Sequence, residues 1–144
     1  MESTVRSSAL ASAQTAPVRT NFNAQALSYW IFTALFCLEM SFTAYYEFLP
    51  QGAQAFTRLG FASEFFRVEL SLAKLAGVAV LLLPMVPARL KEWAYAGFAI
   101  NLISALIAHA SIHDRPLAFV PSSITSVLWG LSYWLWRRRS QAAA

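Results

Sequence analysis

The sequence has little charge, a single cysteine and no familiar catalytic motif. Only 12% of its 144 residues are charged, against roughly 25% in a soluble domain, which excludes an ordinary soluble globular fold. The lone cysteine, Cys37, cannot form an internal disulfide and leaves no C-x-x-C pair for thiol chemistry. The sequence also lacks a glycine-rich phosphate loop, H-E-x-x-H and G-x-S-x-G, so the common nucleotide-binding and hydrolase mechanisms are not indicated.

Long apolar stretches are abundant instead. They cover residues 26–48, 66–86, 93–112 and 117–136, and each is close to the roughly 20 residues that a helix needs to cross a bilayer. Helices are expected because backbone groups that face lipid must find hydrogen-bond partners within their own segment. The sequence therefore predicts an all-α fold, a bundle of four transmembrane helices.

The remaining segments divide the chain around this bundle. Residues 1–25 are rich in Ser, Ala, Thr and Gln and predict a flexible N-terminal tail. The four-helix domain then spans 26–137, and 138–144 form a C-terminal tail. The first connection, residues 50–65, contains four large apolar side chains and is too apolar for a solvated loop. It predicts a short helical or re-entrant segment at the outer membrane interface.

Lysine and arginine are unevenly distributed, which indicates the orientation of the bundle. Seven lie in the N-terminal tail, the second connection and the C-terminus, and three lie in or beside the first and third connections. Cytoplasmic segments carry the excess of positive charge, so both termini are predicted to be cytoplasmic. Because these charges flank the spans, the net charge of +4 does not indicate a nucleic-acid partner. The seven are Arg6, Arg19, Arg89, Lys91, Arg137, Arg138 and Arg139, and the three are Arg58, Arg67 and Arg115.

Lys74 is the most informative polar residue, because it lies inside the second apolar stretch. A charge there costs about 2.5–3.5 kcal/mol on insertion scales and normally has a partner or a function. With a rise of ~1.5 Å per residue, Glu39 and Asn101 fall at similar depths in the first and third stretches. We therefore predict a cluster of Glu39, Lys74 and Asn101, with Glu39 as the partner of Lys74. It is either a buried ion pair that fixes helix order, or a polar site that holds a quinone-like head group or relays a proton.

A second polar group is expected at the outer face. Arg67 and Glu69 lie at the start of the second stretch, and His109 and His113 lie near the end of the third. Histidines four residues apart share one side of a helix and can bind a metal or haem. Without further ligands this pair predicts no metal site. The alternatives are an interfacial histidine in a solvated turn, or an outer rim of the midplane pocket that includes Arg67 and Glu69.

Several segments resemble the DoxX-like family of small bacterial membrane proteins. The resemblance rests on residues 72–84 (LAKLAGVAVLLLP) and 90–98 (LKEWAYAGF), with support from 47–50 (EFLP) and 132–136 (SYWLW). It implies a four-helix bundle in the bacterial inner membrane, in which Lys74 matches the lysine of the family's second helix. Relatives that gave the family its name are membrane subunits linked to thiosulfate oxidation with electron transfer to quinone. The family offers no established catalytic set.

These observations lead to three hypotheses for function. In the first, the protein is a DoxX-like accessory subunit of a membrane redox or isomerisation system and binds a small quinone-like molecule near Lys74, Glu39 and Asn101. In the second, it is a non-catalytic scaffold in a larger complex or a homo-oligomer. The third is a small proton-coupled exporter, which the charge of Lys74 disfavours. A quinone is the one cofactor considered, and direct sulfur oxidation is not expected because Cys37 is alone.

Overall fold

The computed structural model describes residues 21–142, and most of them are helical. A short helix, α2 (Pro50–Arg58), separates the first two long helices, and a turn of 3-10 helix, Pro116–Ala118, precedes the last. No strand occurs within 21–142. The predicted all-α fold and the short helix in the first connection are confirmed. The four long helices each overlap one apolar stretch: α1 (Asn21–Phe48), α3 (Glu64–Leu82), α4 (Ala88–Ser111) and α5 (Phe119–Ala142).

Two of the long helices have the length and apolar composition of a membrane span. They are Ala24–Phe48, within α1, and Ala88–Ser111, which is α4. Helix α3 carries Glu64, Arg67, Glu69 and Lys74 within 19 residues, which lowers its mean hydropathy. Composition alone therefore indicates a helical membrane protein with at least these two candidate spans.

Local sequence signals determine where the helices begin and end. The Ser63 side chain accepts a hydrogen bond from the Phe66 N–H at 3.3 Å and caps α3. Pro87 precedes the first turn of α4, a place where its missing N–H costs nothing. Helix α5 continues to Ala142, so part of the predicted C-terminal tail is helical. Most of the predicted N-terminal tail, residues 1–20, lies outside the described residues.

The helices form a ring in which α1 packs against α3 and α5, and α4 contacts both of these. Helix α2 packs against the end of α1 and against α3. We call this the α2 end of the bundle; it also holds the turn between α4 and α5. Aromatic contacts fill the centre, where the rings of Phe36 and Phe98 meet edge to face with centroids 5.0 Å apart. The opposite end holds the first turns of α1 and α4 and the last turns of α5.

Hydroxyl groups join three of the helices inside this ring. Ser132 of α5 hydrogen-bonds Thr33 of α1 and Tyr95 of α4, each at 2.7 Å, and all three side chains are buried. In addition, the Trp129 Nε1–H donates to the Tyr95 carbonyl oxygen at 3.0 Å. Interhelical hydrogen bonds of this kind contribute to packing where lipid supplies no hydrophobic drive between helices.

Gly52 allows α2 to fold back against α1. A Cβ atom at this position would lie 2.2 Å from the Tyr46 carbonyl oxygen and 2.7 Å from the Glu47 Cα, both backbone atoms of α1. Backbone cannot move aside as a flexible side chain can. The close approach therefore requires glycine here.

We predict that Gly52→Ala destabilises the protein by about 1–3 kcal/mol, the usual cost of overpacking a well-packed site. Gly130→Ala is the matched control, because a Cβ at Gly130 of α5 meets nothing within 4 Å. It is expected to be neutral or to stabilise by up to about 1 kcal/mol. Thermal unfolding in detergent measures both, and equal midpoints for the two variants would contradict the prediction.

Candidate functional site

An ion pair between Lys74 and Glu47 lies at the junction of α1 and α3. The Lys74 Nζ donates to Glu47 Oε1, and the side chains of both residues are less than a tenth exposed. The Ser71 hydroxyl donates to the other carboxylate oxygen, Oε2, at 2.8 Å. One turn before Ser71 in α3, the Arg67 Nη1–H donates to the Glu47 backbone carbonyl oxygen. Both carboxylate oxygens of Glu47 and its carbonyl oxygen therefore have donors.

The spacing along α3 explains this convergence. Arg67, Ser71 and Lys74 are separated by four and three residues, so they lie on one face of the helix. The Glu47 carbonyl belongs to the last turn of α1, where carbonyl groups have no partner within the helix. Arg67 supplies that missing partner. The second ion-pair contact of Arg67, to Glu64 Oε1 at 3.6 Å, is long and involves an exposed carboxylate.

The predicted partner of Lys74 was therefore wrong: it is Glu47, not Glu39. The depth estimate used Cα positions, whereas a lysine in a helix points toward the N-terminus of that helix. Its long side chain carries the ammonium group about one turn toward the α2 end. At that level the acidic residue on α1 is Glu47.

Glu39 lies instead between α1 and α5. Its Oε1 is 2.5 Å from the Thr125 hydroxyl oxygen, and its side chain is half-buried. Within residues 21–142 no lysine, arginine or histidine lies within ion-pair distance of this carboxyl group. The predicted cluster of three is therefore divided, and Glu39 is on a different side of α1 from Lys74.

Lys74 and Asn101, by contrast, line one cleft of about 270 Å³ between α3 and α4. Gly97 lies one turn before Asn101 along α4, and a Cβ at Gly97 would meet nothing within 4 Å. Asn101 itself is half-buried. The cleft is thus a mostly apolar space with an ammonium-bearing and an amide side chain in its wall. Its other lining residues are apolar, and many are small: Leu70, Ala73, Ala76, Gly77, Val80, Leu90, Trp93, Ala94 and Phe98.

The second predicted polar group is only partly assembled, around a residue that was not singled out. Asp114 accepts a hydrogen bond from His109 Nδ1 at 3.0 Å and one from Arg58 Nη2 of α2 at 2.6 Å. The His109 hydrogen bond, then the Arg115 N–H and the Arg58 charge, hold the pKa of Asp114 below its usual value. This arrangement links α2 to the α4–α5 turn. Arg67 binds Glu47 instead.

Glu69 and His113 do not join either cluster. Glu69 is exposed on the side of α3 away from Arg67. Helix α4 ends at Ser111, and His113 has a positive φ of 51°, so the two histidines do not share a helical face as the metal hypothesis required. The described residues contain no group of three or more His, Cys, Asp or Glu placed to hold a metal ion.

Comparison with known proteins places this chain in a family. The model of the DoxX-like family matches residues 31–131, which is more than half of the chain. The chain belongs to the DoxX-like family. The resemblance predicted from the sequence is confirmed, and the match includes the ion pair, the cleft and Glu39 of this DoxX-like protein. No curated protein and no solved structure matches the chain.

Sequence reasoning missed Glu47, Ser71, Thr125 and Asp114. Glu47 lies at the end of the first apolar stretch and entered the sequence analysis only through the segment 47–50. The available signal was the shared face of Arg67, Ser71 and Lys74, which indicates one common acceptor on a neighbouring helix. Thr125 carried no such signal, because hydroxyls are frequent throughout the chain.

We predict that Lys74→Met destabilises the protein by about 3–5 kcal/mol, because it leaves the buried Glu47 carboxylate without a counter-charge. Adding Glu47→Gln to this variant removes that charge and is expected to recover part of the loss. Adding Glu39→Gln is not expected to do so. Thermal unfolding of the three variants in detergent measures this, and recovery with Glu39→Gln alone would assign the partnership to Glu39.

Proposed function

We propose that this DoxX-like protein crosses the bilayer four times with both termini in the cytoplasm. We further propose that it binds a small apolar molecule with a carbonyl head group in the cleft between α3 and α4. In this role it is an accessory subunit of a membrane redox or isomerisation system in the bacterial inner membrane. The observation that carries the binding proposal is the cleft that holds Asn101 and Lys74.

The exterior of α5 supports four crossings, although its overall composition is less apolar than that of α1 and α4. Its outward residues recur every three or four positions and form one continuous apolar face. Water would penalise such a face, whereas lipid would not. Helix α3 has a similar outward row that includes Leu72 and Leu82. The exposed residues at the start of and along α5 are Leu117, Val120, Ile124, Val127, Leu131 and Trp134.

The charge distribution supports the orientation. The opposite end of the bundle carries Arg89 and Lys91 at the start of α4 and three consecutive arginines from Arg137 on α5. The α2 end carries fewer positive residues, and two of them, Arg58 and Arg67, bind acidic or carbonyl groups. An excess of Lys and Arg on one side is typical of the cytoplasmic face.

Single cysteines introduced into a Cys37→Ala background test the proposed topology. Gln54→Cys in α2 and His113→Cys in the α4–α5 turn should react with a membrane-impermeant maleimide in intact spheroplasts. Met85→Cys and Ser140→Cys should react only after lysis. All four wild-type side chains are exposed, so access depends on the side of the membrane. Labelling of Met85→Cys in intact spheroplasts would contradict four crossings.

The size and lining of the cleft support a quinone-like ligand in this proposal. About 270 Å³ is slightly below the 300–1,000 Å³ typical of sites for drug-sized ligands, which suits a ring or head group whose tail extends into lipid. Apolar lining with few polar groups is the usual composition of such sites. A quinone has this form, with carbonyl oxygens on an apolar ring.

Asn101 and Lys74 have different roles in this proposal. The Asn101 amide donates a hydrogen bond to a carbonyl oxygen of the ligand and orients it. The Lys74 ammonium group has three N–H donors, and Glu47 accepts one of them. Its positive charge therefore favours an electron-rich oxygen on the cleft side, while Glu47 keeps the pair neutral.

We predict that Asn101→Leu weakens binding of a short-chain ubiquinone about tenfold, the upper range for loss of one hydrogen bond. Gly97→Leu should abolish binding, because a side chain there has room to enter the cleft. Ser104→Ala is the matched control on the same helix; Ser104 is exposed and does not line the cleft. Titration of the protein in lipid nanodiscs measures all three. Unchanged binding in both cleft variants would contradict the proposal.

One observation favours a scaffold role as the second candidate. The small residues Ala73, Ala76 and Gly97 in the cleft wall allow another helix to approach closely. A partner subunit seated there would survive purification in mild detergent in stoichiometric amount, and Gly97→Leu would displace it. A protein that purifies without a partner but with bound quinone would favour the ligand site instead.

A further inference from the structure

Glu39 is an acidic side chain midway along a candidate membrane span, and it has no counter-charge among the described residues. We propose that Glu39 and Thr125 form a proton-binding site on the seam between α1 and α5, and that Glu39 holds a proton at neutral pH. This site lies apart from the α3–α4 cleft. It requires α1 to be embedded in the membrane, but it does not require a ligand in the cleft.

The hydrogen bonds of Thr125 leave room for a proton on Glu39. Its hydroxyl oxygen lies 2.9 Å from the Pro121 carbonyl oxygen and 2.5 Å from Glu39 Oε1. A hydroxyl group has one hydrogen to donate. If that hydrogen goes to the Pro121 carbonyl, the hydrogen in the shorter contact must come from the Glu39 carboxyl group. Thr125 then accepts from Glu39 and donates to Pro121, so that its single hydrogen serves only one of its two contacts.

Ser71 makes the same two kinds of contact, to Glu47 Oε2 at 2.8 Å and to the Arg67 carbonyl oxygen at 2.9 Å. There the Lys74 ammonium group binds the carboxylate and stabilises its charge. The two glutamates of α1 therefore differ in one respect that decides their state. Glu47 has a hydroxyl group and a cation, and Glu39 has a hydroxyl group alone.

The helices packed against Glu39 offer no compensating charge. Helix α5 has no Asp, Glu, Lys, Arg or His between Phe119 and Trp136, and Glu47 is the one other such residue in α1. On α3, Lys74 binds Glu47 and Arg67 binds the Glu47 carbonyl. A carboxylate isolated in hydrocarbon is costly, and binding a proton removes that cost. The remaining titratable side chains of α1 and of α5 up to Trp136 are those of Tyr29, Cys37, Tyr45, Tyr46 and Tyr133.

The half-buried position of Glu39 makes the site reachable from the lipid phase. Its neighbours on the outer face of α1 include Leu35, Leu38 and Phe42, all exposed. A lipid-facing carboxyl group of this kind can exchange its proton only when water or a polar ligand reaches the seam. Proton exchange at Glu39 is therefore linked to the access of water or a polar ligand to the seam between α1 and α5.

Infrared spectroscopy of the full-length protein in liposomes at neutral pH tests the proposal directly. Subtracting the Glu39→Gln spectrum from the wild-type spectrum should reveal the C=O band of a protonated carboxyl group. Glu92→Gln is the matched control, because Glu92 is exposed and pairs with Arg137 at 2.8 Å; it should remove carboxylate bands. Loss of carboxylate bands with Glu39→Gln would overturn the proposal, whether or not the cleft binds quinone.

A second variant covers the case in which Glu39→Gln does not fold. Thr125→Val retains the carboxyl group and removes its hydrogen-bond acceptor, so the C=O band should move to higher frequency. Dicyclohexylcarbodiimide adds to protonated carboxyl groups in apolar surroundings, taking up the acid proton and leaving a stable N-acylurea. It should modify Glu39 and leave Glu47 intact in wild-type membranes. Modification of Glu47 alone, or a C=O band that Thr125→Val does not move, would contradict the assignment.

Discussion

The buried ion pair between Lys74 and Glu47 determines how the first half of the bundle is arranged. A buried charged residue must find a partner, and here the partner lies at the end of the preceding long helix. Because Ser71 and Arg67 bind the same residue, α3 can have only one rotation and one height relative to α1. The wall of the cleft that α3 presents to α4 follows from that rotation. The Lys74–Glu47 ion pair therefore constrains both the wall of the cleft and the arrangement of the helices.

Much of the fold could be predicted from the sequence, because apolar length and helix formation coincide in this chain. The second apolar stretch, 66–86, became Glu64–Leu82, and Pro84 and the Ser63 cap account for the differences at its ends. The helix past Trp136 was less predictable, since a hydropathy boundary does not end a helix. Arg138 stacks on the Trp134 ring, 3.8 Å from its centroid, and α5 continues beyond both.

The candidate site was predicted in part, for physical reasons that can be stated. Lys74 and Asn101 do line one cleft, because depth along antiparallel helices can be estimated from the rise per residue. Which face each residue occupies depends on packing, and that information is absent from depth alone. Glu39 was therefore assigned to the wrong neighbour, although its isolation within an apolar stretch was visible in the sequence. The direction of the lysine side chain accounts for the choice of Glu47.

The bond between Arg67 and the Glu47 carbonyl also has a consequence for the order in which the chain assembles. When α1 is first synthesised, the carboxylate and carbonyl groups of Glu47 have no protein partner. Both are satisfied only after residues 67–74 have been synthesised and α3 has packed beside α1. Until then, water must supply the hydrogen bonds at the end of α1. The joint between α1 and α3 therefore forms only once both helices are present, and α2, folded against Glu47 at Gly52, completes it.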